Sequence, residues 1–89
     1  MTYLITYIPI NPFDRNEELI RQIKSFSTWA LLNSTNYIVC DNDTKTVELR
    51  DKFVKYLRPK EKILVSELTG NGAWKGFSLE MSEWLKKHL

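Results

Sequence analysis

The sequence predicts an α+β domain built on an antiparallel sheet. Three observations carry that expectation. Segments of β-branched and aromatic residues alternate with segments of helical period in the order β-α-β-β-α-β-α. A turn-rich tetrad joins the second and third strands as neighbours. Finally, 89 residues are enough for one hydrophobic core and too few for two domains, so residues 1–89 are expected to fold as a unit.

The first strand is read at Thr2 to Ile8, where nearly every residue is β-prone, and Pro9 and Pro12 stop it. Asp14 and Glu17 have the Asp-x-x-Glu spacing of a capping box. Leu19, Ile20, Ile23 and Phe26 then recur at helical spacing, which predicts a helix running to about Phe26. Trp29 to Leu32 and Tyr37 to Cys40 are short β-prone runs separated by Asn33, Ser34, Thr35 and Asn36, the signature of a hairpin. Asp41, Asn42, Asp43 and Thr44 offer caps for a second helix carrying Val47, Phe53, Val54 and Leu57, which Pro59 ends. Lys62 to Thr69 reads as the fourth strand. Gly70, Asn71 and Gly72 make a turn, and Ser78 opens a closing amphipathic helix with Met81, Trp84, Leu85 and Leu89 on one side.

Two β-α-β crossovers sharing a hairpin give a ferredoxin-like β-α-β-β-α-β sheet with two helices on one face, followed by a C-terminal helix. Its other face is also apolar: in the first strand Tyr3, Ile5 and Tyr7 oppose Leu4, Thr6 and Ile8, and in the fourth Ile63 and Val65 oppose Leu64 and Leu68. Something must cover it, either the closing helix or a second copy of the chain, and a homodimer is the expectation.

Thirteen basic against eleven acidic residues leave a net charge of +2, too small for whole-molecule attraction to nucleic acid or anionic lipid. Any basic function is therefore local. Lys52, Lys55, Arg58, Lys60 and Lys62 crowd the end of the second helix and the loop after it, with Lys45 and Arg50 upstream. They are read as a candidate phosphate-contacting surface for DNA or RNA, against the alternative of a solvated helix face diluted by Asp51 and Glu61. Cys40 is the only cysteine and excludes an internal disulfide; its apolar setting predicts a buried, inert thiol and a reducing, cytoplasmic compartment. No run reaches the roughly 18 apolar residues that cross a bilayer, and no secretory leader is evident, so no membrane association is expected.

Catalytic constellations are absent from the pattern. His88 is the only histidine, Ser34 and Ser66 have no identifiable base, and no Cys/His spacing fits a metal. The loop GNGAWKG lacks P-loop and dinucleotide-turn spacing. Its Trp74 either pins the loop to the domain or stacks on a base, and the Met81, Trp84, Leu85, His88 stripe reads as helix packing.

In order and spacing, YLITY, LLNSTNYIV, ILVSELTG and GFSLEMSEWLKKHL together resemble the small Cas-two proteins of CRISPR adaptation, and more closely their compact SinR-like relatives. The resemblance covers nearly the whole chain. It implies a ferredoxin-like homodimer associated with nucleic acid and, in active members, a metal-dependent nuclease. In those members an Asp after the core of the first strand holds Mg²⁺, a hard cation that wants carboxylate oxygens, across the dimer axis. Here the place directly after Tyr7 is Ile8, whose alkyl group binds no cation. The expectation is therefore a catalytically inert binding or assembly module with no cofactor. The alternatives are a metal-dependent RNase or DNase that has recruited Asp14, otherwise a helix cap, and a toxin, antitoxin or inhibitor component acting on a protein partner. Ser34 and Thr35 match the family's hairpin serine, though turn chemistry accounts for them. The closing helix stands where many Cas-two proteins have a further strand that clasps the partner.

Overall fold

A computed structural model of the chain describes residues 1–41 and 44–89. Its elements are β1 (Thr2–Ile8), α1 (Glu17–Ile23), β2 (Thr28–Asn33), β3 (Asn36–Cys40), α2 (Thr46–Val54), β4 (Lys62–Leu68) and α3 (Leu79–His88). The strands form one sheet in the order β2-β3-β1-β4, with every neighbouring pair antiparallel. The β1-α1-β2 connection passes over β3, and the β3-α2-β4 connection passes over β1. The chain is thus α+β, as expected.

Period-two alternation decides what each face holds. Tyr3, Ile5 and Tyr7 of β1 and Tyr37 and Val39 of β3 point toward α1 and α2. There they pack with Leu19, Ile20 and Ile23 of α1 and Leu49 and Phe53 of α2. Three of these core residues are tyrosines, and each takes its hydroxyl to a polar partner, as burial of a phenol requires. Tyr3 donates to the Thr44 carbonyl, Tyr7 donates to Glu61, and Tyr37 accepts from Arg15 Nη2 at 2.9 Å. Phe26 packs edge-on against Phe53, centroids 6.0 Å apart, from just beyond α1.

On the opposite face α3 covers the β2–β3 half. Ala30, Ile38 and Leu85 are buried, and the Thr2 hydroxyl donates to the His88 carbonyl at 2.6 Å. The far end of the β1–β4 half stays open, with Ile8 51% and Leu64 59% exposed. Of the two covers considered, the closing helix supplies part.

Several boundaries differ from the sequence reading. The cap of α1 is Asn16, whose Oδ1 accepts from Leu19 N at 3.1 Å, and Asp14 is instead the last residue of a turn, its N–H donating to Asn11 O at 3.0 Å. Also, α1 stops at Ile23, where the Ser25 hydroxyl donates to Gln22 O at 2.6 Å and competes for a carbonyl the helix would use. Lys45 holds the N-cap position of α2 with no side-chain bond. Of the four caps expected there, Asn42 and Asp43 lie outside the described residues, and the Thr44 hydroxyl donates to the Asp41 carboxylate. The hairpin turn is only Ser34 and Thr35, closed by Asn33 Oδ1, which accepts from Thr35 N at 3.0 Å and Asn36 Nδ2 at 2.9 Å. Cys40 is half-buried rather than enclosed, its Sγ 3.7 Å from the Thr2 hydroxyl. In α3 the expected cap holds: Ser78 Oγ accepts from Met81 N at 3.1 Å.

Candidate functional site

One end of the sheet gathers the end of β1, the β2–β3 turn, the end of α2 and the start of β4, because all four lie at the same pole of an antiparallel sheet. The backbone positions of Lys55, Arg58, Lys60 and Lys62 lie at this pole, with Lys62 on the face of the sheet turned away from α2. Lys55 closes α2, and Lys62 opens β4 opposite Ile8. Lys52 lies a turn back in the helix with its ammonium 4.8 Å from the centre of the Phe26 ring, a cation–π contact. Lys45, at the far end of α2, is not part of the cluster, and Arg50 pairs with Asp51 at 2.9 Å.

Arg58 serves the fold. Its Nε and Nη2 donate to Glu61 Oε2 at 3.2 and 3.0 Å, and its Nη1 and Nη2 donate to the Asp14 carboxylate and carbonyl at 3.3 and 2.9 Å. Glu61 is the centre of this network, with a side chain only 1% exposed. It also accepts from the Tyr7 hydroxyl, from Asn16 Nδ2 at 3.0 Å and from Arg58 N at 2.7 Å. Burial pushes its carboxyl up. The donors outweigh burial, Arg58 first and then Tyr7, and the Glu61 carboxyl falls to about 2. Burial and then the Glu61 carboxylate push the Tyr7 phenol up, while Glu61 and then Tyr7 hold the Arg58 guanidinium more firmly charged.

The network takes up Arg58, while the lysines and Arg15, whose Nη2 donates to the neutral Tyr37 hydroxyl at 2.9 Å, keep their charges. Arg58 is shared between Asp14 and Glu61, so its single positive charge is spent within a triad that keeps a net charge of −1. Glu17 and Glu18 sit in the first turn of α1, where the helix dipole favours them, and Glu18 pairs with Arg21. Lys60 is the unusual member. It occupies the third position of the Arg58-Pro59-Lys60-Glu61 turn with φ of 70°, a left-handed conformation that favours glycine or asparagine. Glu61 N donates to Arg58 O at 3.1 Å and closes the turn.

The other sequence candidates fall outside this pole or into structural roles. Trp74 pins its loop, donating from Nε1 to Ser82 Oγ of α3 at 3.2 Å. A cavity of about 290 Å³ lies beneath that loop, walled by Leu4, Leu32, Ile38, Phe77 and Leu85. The His88 ring packs on Trp84 with centroids 4.5 Å apart. Among the described residues, no group of three or more acidic, cysteine or histidine side chains converges on a metal-sized site. Sequence reading missed the Tyr7–Asn16–Glu61 network. A signal for it was the repeated pattern of a proline followed two residues later by an acid, in Asn11-Pro12-Phe13-Asp14 and Arg58-Pro59-Lys60-Glu61.

No family model, curated protein or solved structure matches this chain.

Proposed function

We propose that the chain is a ferredoxin-like homodimeric module of Cas-two-like or SinR-like type that binds nucleic acid in the cytoplasm and has no catalysis of its own. The observation that carries the reading is Lys60. A lysine held at φ of 70° costs backbone energy that Asn or Gly would avoid, and strain of that kind is retained where a side chain is needed. With Lys55 and Lys62 at the same pole it makes a small cationic surface, suited to phosphates and too small for long-range attraction. The strand order read from the other edge, β4-β1-β3-β2, supports the ferredoxin-like assignment. The exposed Ile8 and Leu64 support pairing of two copies.

Ile8 supports the absence of catalysis, since an alkyl group holds no cation where the resemblance places a carboxylate. Nor does Asp14 favour a recruited nuclease centre, because its carboxylate is taken by Arg58. Fluorescence anisotropy with labelled duplex and single-stranded DNA and RNA tests the proposal. Binding is expected at low salt. Three lysines per protomer give a log–log salt slope of about −2 on a single strand, or about −4 when two protomers engage it. Absence of binding to every oligonucleotide at low salt overturns the reading.

A further inference from the structure

β4 is an edge strand with neither bulge nor proline, the devices that commonly keep an edge from pairing. β2, the other edge, has a slip in register between Leu31 and Asn33, whereas β4 keeps one unbroken register along β1 for all seven residues. Its free groups follow from the ladder. Tyr7 N donates to Thr35 O at 2.8 Å, in register with the β1–β3 pairs, so the odd residues of β1 turn their backbone groups to β3 and the even ones to β4. In β4 the even residues Lys62, Leu64, Ser66 and Leu68 therefore bond β1, and Ile63, Val65 and Glu67 turn their N–H and C=O groups outward. Beside them runs a groove of about 230 Å³ between β4 and α2, walled by Val47, Arg50, Ile63 and Val65. Val47 is 55% exposed. Glu67 is exposed and makes no ion pair among the described residues.

We infer that two copies of this chain join through their β4 edges, antiparallel about a twofold axis at Val65, so that two four-stranded sheets become one. The inference rests on the homodimer reading above and names the surface that makes it. With the axis at Val65, that residue exchanges both backbone bonds with the partner's Val65, and Ile63 does so with the partner's Glu67, which uses every outward group of the strand. Other registers use fewer. Sliding the partner by two residues sets Glu67 against the partner's Glu61, whose N–H already closes the Arg58 turn, or Ile63 against the partner's Thr69, beyond the strand. Charge selects the same register. Residues directly opposite share a face, so the partner's Glu67 stands against Ile63 on the α2 side, where Arg50, otherwise paired only with its neighbour Asp51, lines the groove. The Val65 side chains meet at the axis, and each groove adds an exposed Val47. On the other face Leu64 lies beside the partner's Ser66. Stacking of the two open sheet faces is the competing arrangement, and Arg50 and Glu67 lie on the opposite side of the sheet from it.

Analytical ultracentrifugation of the full chain tests this through the dimer Kd of wild type, Glu67→Arg, Arg50→Glu, the double variant carrying both reversals, and Glu67→Pro, with urea unfolding as the check on each fold. Arg50 and Glu67 are exposed, and the Glu67 N–H lies outside the β1 ladder, so proline there removes no sheet bond of the single chain. Wild type is expected to dimerise. Each single reversal should raise the Kd about tenfold, because it sets like charges together at two symmetric places, and the double variant should return it to within about threefold of wild type. Glu67→Pro should raise it about tenfold, since each copy loses one N–H that bonds the partner. A wild-type dimer indifferent to Glu67→Pro and to the charge variants overturns the edge contact and leaves the homodimer reading standing on the open face. Weakening by the single reversals without rescue in the double variant overturns the Val65 register. A monomeric wild type overturns both readings and leaves the edge to a strand of another protein. Open-ended assembly also overturns the inference, since one free edge per copy closes at two.

Discussion

Lys60 and Glu61 are adjacent in sequence and opposite in what they do for the molecule. Lys60 carries its charge at a backbone angle that suits Asn, so Lys60→Asn is expected to stabilise the fold by about 1 kcal/mol in urea unfolding while weakening oligonucleotide binding. Unchanged binding alongside the gain would count against a role for the amine. Glu61 works the other way, as a buried anion with donors from four groups. Its carboxyl is lower in the folded chain than the ordinary 4.5, so its contribution is complete above that value and is lost as pH falls toward about 2. A fall from 4.5 to about 2, at about 1.4 kcal/mol per tenfold, corresponds to about 3 kcal/mol. Unfolding measured from pH 6 to pH 2 should show this acid decline in wild type, and Glu61→Gln should flatten it. An equally steep decline in the variant would place the titrating group elsewhere.

Among the elements, α1 depends on a cap that belongs to two structures at once. Asn16 accepts from Leu19 N, and its Nδ2 donates both to Tyr56 O at 2.6 Å and to Glu61 Oε1 at 3.0 Å. The start of α1 is thereby bound to the segment after α2, which explains why a seven-residue helix can hold: isolated helices of that length are unstable in water. Asn16→Ala removes the cap and one of the two donors to Glu61 Oε1, leaving Arg58 N as the other, an expected loss of about 2 kcal/mol. Asn16→Ser keeps a capping oxygen and should lose less. Chemical denaturation of the two variants distinguishes a simple cap, where they would nearly coincide with wild type and Ala at the two ends, from a joint, where Ser falls between them.

At the scale of the molecule, an apolar sheet face is shared between α3 and open solvent. The helix protects Ala30 and Ile38, and Leu64 on β4 projects from the half it leaves uncovered. If two copies meet there, as proposed, a charge at its centre is costly to bury. Leu64→Asp is therefore expected to shift sedimentation-velocity profiles from dimer to monomer without unfolding the chain, because the side chain is already 59% exposed in the single chain. Unaltered sedimentation would move the interface to another surface. The same half of the sheet ends at Ile8 and Lys62, so pairing through it would bring two cationic poles into one assembly.

The sequence by itself determined the order of elements, the hairpin, the Ser78 cap and the two faces of the sheet, because each follows from local turn chemistry or from a period of 2 or 3.6 residues. It also placed Lys55, Arg58, Lys60 and Lys62 close together, since only eight residues contain them. Tertiary structure decided which charges remain available. Arg58 and Lys60 look alike in sequence, yet Arg58 is held by Asp14, 44 residues away, whereas Lys60 sits at the left-handed position of a turn with no ion pair among the described residues. Asp14 was the cap expected for α1, and the role fell to Asn16 because Arg58 and the Asn11 carbonyl hold Asp14 in a turn before the helix. Hydrogen bonds between residues distant in the chain leave no periodic trace along it, and they, more than local pattern, separate the side chains that build this pole from those that can meet a ligand.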